Sequence, residues 1–395
     1  MTFFSPAARL DSLEEYFFSK VAAKISLLNA EGKEVLNLGV GSPDMPPPIA
    51  AQEAAVCSIQ GLKNHGYQSY KGLRELRETM STWYKNTYHV DVDPENEIIP
   101  LLGSKEGILQ VSLAFLNPGD KILVPNPGYP SYGSLAKIFG AQPVDYPLRE
   151  ENLWLPDISE LERKAQNKIR LMWINYPHMP TGATISHENL EKILDFTREQ
   201  GILLCSDNPY GLILNSNPPK SIFEIDKRKE FSLEINSLSK SFHMAGWRIG
   251  MLIANKKVCD LILKSKSNTD SGMFHAVQAG AIAALKVKND WHVKQNLEYS
   301  KRKLLVLEIF KTLKFSCDPM QEGLFVWAKA PDNIQHVEDF LETLLLQKQV
   351  LLVPGSVWGT NGRRYARSSL CASNSTLQNA LDRVKSFMRE VELQQ

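Results

Sequence analysis

Ser237-Leu238-Ser239-Lys240-Ser241-Phe242-His243-Met244-Ala245-Gly246-Trp247-Arg248-Ile249-Gly250 is the stretch that decides the reading of this chain. The apolar-leaning run 231–235 leads in, and a second one, 249–254, leads out. A lysine held between packed strands loses hydration and becomes a neutral amine able to form an imine with a carbonyl. Neighbouring serine hydroxyls and an arginine hold phosphate. Amine and phosphate cradle together are what pyridoxal phosphate requires. A surface lysine in a serine-rich turn is the plain alternative, and the stretch alone leaves both open.

Working outward, short apolar strands alternate with helical spacing. Strands are predicted at 35–40, 98–102, 121–124, 142–146, 169–174, 202–206 and 232–236. Helices are predicted at 11–30, 49–60, 73–85, 108–116, 131–139 and 187–200. That rhythm predicts an α/β fold with a mainly parallel sheet. Ligands bind at the carboxyl ends of such strands. Gly103-Ser104, Tyr129, Asn175, Asp207 and Lys240 each follow a predicted strand, so the geometry brings them to one edge. Ser104 and Lys105 also open a helix, where free N–H groups and the positive dipole end receive an anion; an ordinary helix cap is the equal alternative. From about residue 275 the pattern changes to long helices, 275–288 and 290–313. Strands at 325–328, 350–354 and 365–370 and a helix at 375–391 follow, as in a separate α+β unit.

Composition narrows the function classes. With 395 residues, 43% hydrophobic and 23% charged, the chain is long enough for two globular subdomains. A net charge of +1 gives no footing for nucleic acid or an acidic membrane surface. No run of ~18 apolar residues is present, so no membrane span is expected. Five scattered cysteines without a CxxC pair fit neither a disulfide frame nor a zinc site, and none of the motifs calls for a metal. A reducing cytoplasmic setting, with no signal peptide, is the expectation.

Taken together, these motifs resemble the class I/II pyridoxal-phosphate-dependent aminotransferases of fold type I, the aspartate aminotransferase superfamily. The resemblance spans roughly residues 35–370. It implies a large domain with a mainly parallel, seven-stranded type of sheet between helices, plus a smaller α+β domain. The implied division is 1–44 as an N-terminal segment packing with the small domain, 45–280 as the cofactor domain and 281–395 as the small C-terminal domain.

The resemblance also assigns roles. Lys240 is the Schiff-base lysine and proton shuttle. Asp207 pairs with the pyridinium nitrogen, Tyr210 binds the ring's phenolate oxygen, and Tyr129 stacks on the ring. Ser104, Lys105 (through its backbone N–H), Ser237, Ser239 and Arg248 hold the phosphate. Tyr67 reaches the phosphate of a second subunit, which implies a homodimer with shared sites. Arg367 clamps the substrate α-carboxylate, with Arg363 and Arg364 expected in solvent, and Gly41 lets backbone approach that carboxylate. The reaction implied is amine transfer from an amino acid to a 2-oxo acid. A β- or γ-eliminating lyase and a non-catalytic regulatory domain on the same fold are the competing readings.

One position departs from the pattern. In Asn175-Tyr176-Pro177-His178-Met179-Pro180-Thr181-Gly182, Met179 stands where the family has the asparagine that donates to the phenolate oxygen. Tyr210 then carries that bond alone, with Asn175 or His178 as the nearest helpers. Met179, Met273 and Phe274 predict an apolar side-chain pocket if they face the site, hence a neutral or aromatic amino acid, with a broad or diaminopimelate-type substrate as the other choices.

Overall fold

The computed structural model describes residues 4–166 and 168–393. Its strands are β1 Leu36–Asn37, β2 Ile98–Leu101, β3 Lys121–Asn126, β4 Gln142–Pro147, β5 Ile169–Asn175, β6 Leu203–Asp207, β7 Ser232–Ser237, β8 Gly250–Ile253, β9 Phe325–Lys329, β10 Val350–Leu351, β11 Val353–Pro354 and β12 Tyr365–Ser369.

Seven of them form the central sheet, in the order β2-β8-β7-β6-β5-β3-β4. Every neighbouring pair is parallel except the two that involve β8. The physical reason is the connection. Parallel neighbours need a long crossover, usually a helix, whereas an antiparallel neighbour can be reached directly. The β7–β8 connection, residues 238–249, is short, and Lys240 sits in it.

Side chains alternate across this sheet with the strand period of two. Met172 and Ile174 join one core while Leu171 and Trp173 join the other; Leu204 and Cys205 split the same way. Helices therefore cover both faces, and polar residues collect at the strand ends. Cys205, in the apolar run 202–205, is buried in one of these cores.

The second unit carries the antiparallel sheet β11-β12-β9. Its core includes Leu36 and Leu38 from the N-terminal segment, and β1 pairs in parallel with β10. Val21 and Leu28 of helix Phe17–Ala30 pack with Leu345 and Leu351. Among the described residues no helix is long and apolar enough to cross a membrane, and no group of residues suits a metal ion.

Three helices lie outside the sequence reading: Ile158–Ala165, Lys256–Lys266 and Val337–Lys348. The first two carry readable caps: Asp157 accepts from the backbone N–H of Ser159 and Glu160, and Asn255 from that of Val258. The helix expected from residue 11 begins only at Phe17. That late start matters, because it leaves Tyr16 free to enter the site. The helix expected from residue 108 starts earlier, at Ser104.

Candidate active site

A cavity of about 320 Å³ opens at the carboxyl edge of the central sheet, against the second unit. Lys240 stands on the single helical turn Leu238–Ser241 that ends β7. The Ser237 hydroxyl oxygen caps this turn by accepting from the Ser239 N–H at 3.1 Å. The Lys240 amine donates to the carbonyl of Gly41. Burial lowers its pKa; the Cys371 side chain opposes that shift, and the Arg367 and Arg248 charges add to it. A lysine so placed holds a larger neutral, nucleophilic fraction.

Asp207 closes β6 and is buried. Its Oδ2 accepts from the Tyr132 hydroxyl at 2.6 Å, while Oδ1 has no partner. Burial pushes the carboxyl up to about 6, against the lowering pull of Tyr132. An orphaned carboxylate oxygen in a buried site calls for a cationic donor. Tyr132 is held flat against Trp173, with ring centroids 4.8 Å apart and planes within 4°.

The anion cradle lies beside the lysine. Gly103 turns the chain with φ +87°, and a Cβ there would sit 2.2 Å from Arg248 Nη2. Helix Ser104–Phe115 then begins with its first N–H groups free of intrahelical partners. Arg248 is exposed here, and one of its amino groups donates to the Ala245 carbonyl at 2.8 Å. Ser104, Lys105, Ser237, Ser239 and Arg248 all line the cavity.

Arg367, on β12, is 3% exposed. Its guanidinium carbon lies 3.9 Å from the centre of the Phe325 ring and 4.1 Å from that of Trp358. Two aromatic faces hold the cation electrostatically and fix the plane of its fork. Nη2 donates to the Gly39 carbonyl at 2.7 Å, Nη1 lies 3.3 Å from Met179 Sδ, and Nε has no partner. Burial lowers this arginine to about 9. No carboxylate pairs with it among the described residues, so a buried fork awaits an anion. Gly41 is required nearby, since a Cβ would meet Phe325 Cζ at 2.4 Å.

Tyr129, Tyr210 and Asn175 also line the cavity. Tyr210 packs edge-on to Phe325, and burial raises its hydroxyl pKa. Asn175 is largely committed elsewhere: it donates to the Asp207 carbonyl at 2.6 Å and accepts from the Met179 N–H at 2.8 Å. His178 is no helper either. It is buried, bonded to Thr181 Oγ1 at 2.8 Å and absent from the cavity lining.

Several expectations need correction. Met273 is buried in the large-domain core, and Phe274 packs near His65; neither lines the cavity. Arg364 is not simply solvated, because it donates to the carbonyls of Ile334 and Pro331. Tyr67 is not among these corrections: its expected contact lies in a second subunit, and in its own chain it is 94% exposed and does not line the cavity. Conversely, Tyr16, Phe18, Tyr132, Phe325 and Trp358 line the cavity without having been singled out.

The unpartnered Asp207 oxygen, the glycine-permitted arginine cradle and the dehydrated lysine amine fit pyridoxal phosphate: a ring nitrogen, a phosphate and an aldehyde. Comparison with known proteins agrees. The family described as aminotransferase class I and II matches residues 33–384. The chain is 37% identical to an LL-diaminopimelate aminotransferase of Aquifex aeolicus over 380 residues, 96% of this chain and 98% of that one. Against the enzyme of the same name from Halothermothrix orenii it is 35% identical, covering 96% and 97%. Among solved structures, substrate-bound BacF from Bacillus subtilis superposes with a TM-score of 0.92 at 31% identity, covering 97% of this chain and 98% of that one. The aromatic aminotransferase of Pyrococcus horikoshii gives 0.86 at 29%, covering 93% and 100%. Fold, cavity and relatives agree, and the chain belongs to the class I and II aminotransferases, which are pyridoxal-phosphate-dependent enzymes.

Proposed function

We propose that the amino donor is LL-diaminopimelate, with one carboxylate on Arg367 and the distal carboxylate at Lys105. The observation that carries this reading is the cation set of the cavity: Lys105, Lys240, Arg248 and Arg367 line it, none has a carboxylate partner among the described residues, and with Lys240 and Arg248 given to the cofactor, Arg367 and Lys105 are left for two carboxylates. The Lys105 amine lies 4.5 Å from the centre of the Tyr16 ring at the cavity mouth, and burial, then the Arg248 charge, lowers its pKa. A dicarboxylate would relieve both. The names of the relatives support the same donor. Within one chain the expected neutral or aromatic donor loses two of its three supports, because Met273 and Phe274 do not line the cavity.

The test is a comparison of donors with 2-oxoglutarate as acceptor. LL-diaminopimelate is expected to give a higher kcat/KM than phenylalanine or leucine. Lys105→Met should raise KM for LL-diaminopimelate about tenfold more than for either monocarboxylate, as loss of one charge-assisted contact requires. Phenylalanine as the best donor would overturn the assignment. Release of ammonia and pyruvate instead of amine transfer would favour the lyase chemistry.

Within this reading each side chain has a defined task. When bound, the cofactor supplies an electron sink that acidifies the substrate Cα–H. Lys240 holds the cofactor and then moves the Cα proton as general base. Asp207 keeps the ring nitrogen protonated, Tyr210 donates to the ring oxygen, and Tyr129 covers a ring face. Met179 offers that oxygen no donor; its sulfur faces Arg367 instead. Ser104, the Lys105 N–H, Ser237, Ser239 and Arg248 anchor the phosphate.

The acting unit in this proposal is a homodimer. Ile49, Val56, Ile59 and Leu62 are all at least half exposed and lie on or just after helix Ile49–Gln60, close in sequence to Tyr67. Contiguous apolar exposure of that kind marks a protein interface. Sedimentation should find twice the chain mass; a monomer with full activity would exclude a role for Tyr67 across subunits.

A further inference from the structure

His243 comes three residues after Lys240 and is held in the left-handed region, with φ +56°. A non-glycine residue there stores strain that its surroundings must maintain. Those surroundings are specific. His243 Nδ1 meets the Pro46 carbonyl at 3.3 Å, and Nε2 meets the Tyr299 hydroxyl at 3.1 Å. One turn further along the long helix Asn289–Thr312, Arg302 makes a two-pronged ion pair with Asp44, at 2.6 and 3.1 Å. Arg302 also donates to the Leu370 carbonyl at 3.1 Å and is 4% exposed. Burial works against its charge, but Asp44, together with Glu298 and Tyr299, outweighs that.

The contacts close a ring. From Lys240 the chain runs to His243, on to Tyr299, along one helical turn to Arg302, across to Asp44, and back through the strap 39–46 to Gly41, whose carbonyl accepts from the Lys240 amine. Residues three apart share a helix face, so Tyr299 and Arg302 form one rigid grip. The same strap supplies the Gly39 carbonyl to Arg367. Its position therefore bears on the nucleophile and the carboxylate fork together.

We propose that Tyr299 and Arg302 are positioning residues: a clamp on the long helix that fixes the Lys240 turn against the 39–46 strap and so sets where the Lys240 amine rests. The proposal rests on Lys240 being the cofactor-bearing lysine. Neither clamp residue lines the cavity, so neither touches substrate. Misplacement of a reacting group by about 1 Å can cost about 10²-fold in rate.

The test uses the holoenzyme with Tyr299→Phe, which removes one hydroxyl, and Asp44→Asn, which removes the strap's charge from Arg302 and leaves it only Glu298 of its own helix, at 3.4 Å. Each is expected to lower kcat about tenfold with KM for the donor changed less than about twofold. Each should also move the pH midpoint of the bound cofactor's absorbance by about half a unit or more. The double variant should fall little below the worse single one, because both loosen the same gap. A lowered melting temperature with kcat and absorbance midpoint unchanged would overturn the proposal, as would effects that simply multiply. Mapping the cofactor attachment site in the same preparations separates the outcomes: attachment at Lys240 with an indifferent clamp rejects the clamp alone, whereas attachment elsewhere rejects the reading beneath it.

Discussion

Lys240→Ala is expected to lower turnover by about 10⁴-fold, the upper end of what a lost general base costs. Two losses combine here. In the proposed mechanism the cofactor would lose its covalent attachment, and the substrate Cα would lose the amine that takes its proton. The surroundings cannot substitute. The cavity holds one other lysine, Lys105, whose amine rests on the Tyr16 ring at the mouth. Asp207 is bonded to Tyr132 on the floor. A small primary amine added to the buffer should restore part of the rate, since it can enter the vacated space and move the same proton. Steady-state kinetics of the variant, with and without methylamine, provide the check. Turnover within tenfold of the native enzyme would remove Lys240 from the mechanism.

Asp207→Asn is expected to cost about 10²–10³-fold in kcat, the usual loss when a buried electrostatic partner of the reacting group is removed. It carries a second, opposite consequence. In the cofactor-free protein the carboxyl is raised to about 6, chiefly by burial. A raised acid favours the fold below its unfolded value of 3.8 and loses that contribution as pH climbs through about 6. Above pH 7 the native residue thus holds an uncompensated buried charge, worth about 2–3 kcal/mol at 1.36 kcal/mol per unit. Asparagine keeps an oxygen for the Tyr132 hydroxyl and carries no charge. The cofactor-free variant should therefore melt higher than the cofactor-free native protein at pH 8, and the gain should vanish near pH 4. Thermal melts at both pH values read this directly. A variant less stable at pH 8 would mean that the charge is already compensated within the protein. The site would then be stabilised by its catalytic residue, rather than trading stability for function as buried active-site charges commonly do.

Much of this site was legible because strand ends announce themselves. Asp207, Lys240 and Tyr129 follow apolar runs, and a largely parallel sheet delivers such positions to one edge. Arg367 was legible by resemblance, but its setting was not. Phe325 and Trp358 flank it from β9 and from the 355–358 turn, and no local pattern pairs them. Tyr132 reads as an ordinary helical tyrosine; it reaches Asp207, 75 positions away, only through the folded sheet. Tyr16 was absorbed into a helix that spacing extended back to residue 11, because apolar periodicity cannot tell a helix from the extended lead that precedes it; Phe18 does lie in the helix, and spacing does not say that it faces the cavity. Met273 and Phe274 failed for the converse reason: composition names an apolar side chain and says nothing of which cavity it faces.

Whether Lys240 bears the cofactor at the β7–β8 turn is read by trapping that bond. Borohydride reduction of the holoenzyme, followed by peptide mass spectrometry, should find one phosphopyridoxyl group per chain, on Lys240. Finding it on Lys105, or finding no adduct in a yellow protein, would mean that Lys240 does not bear the cofactor.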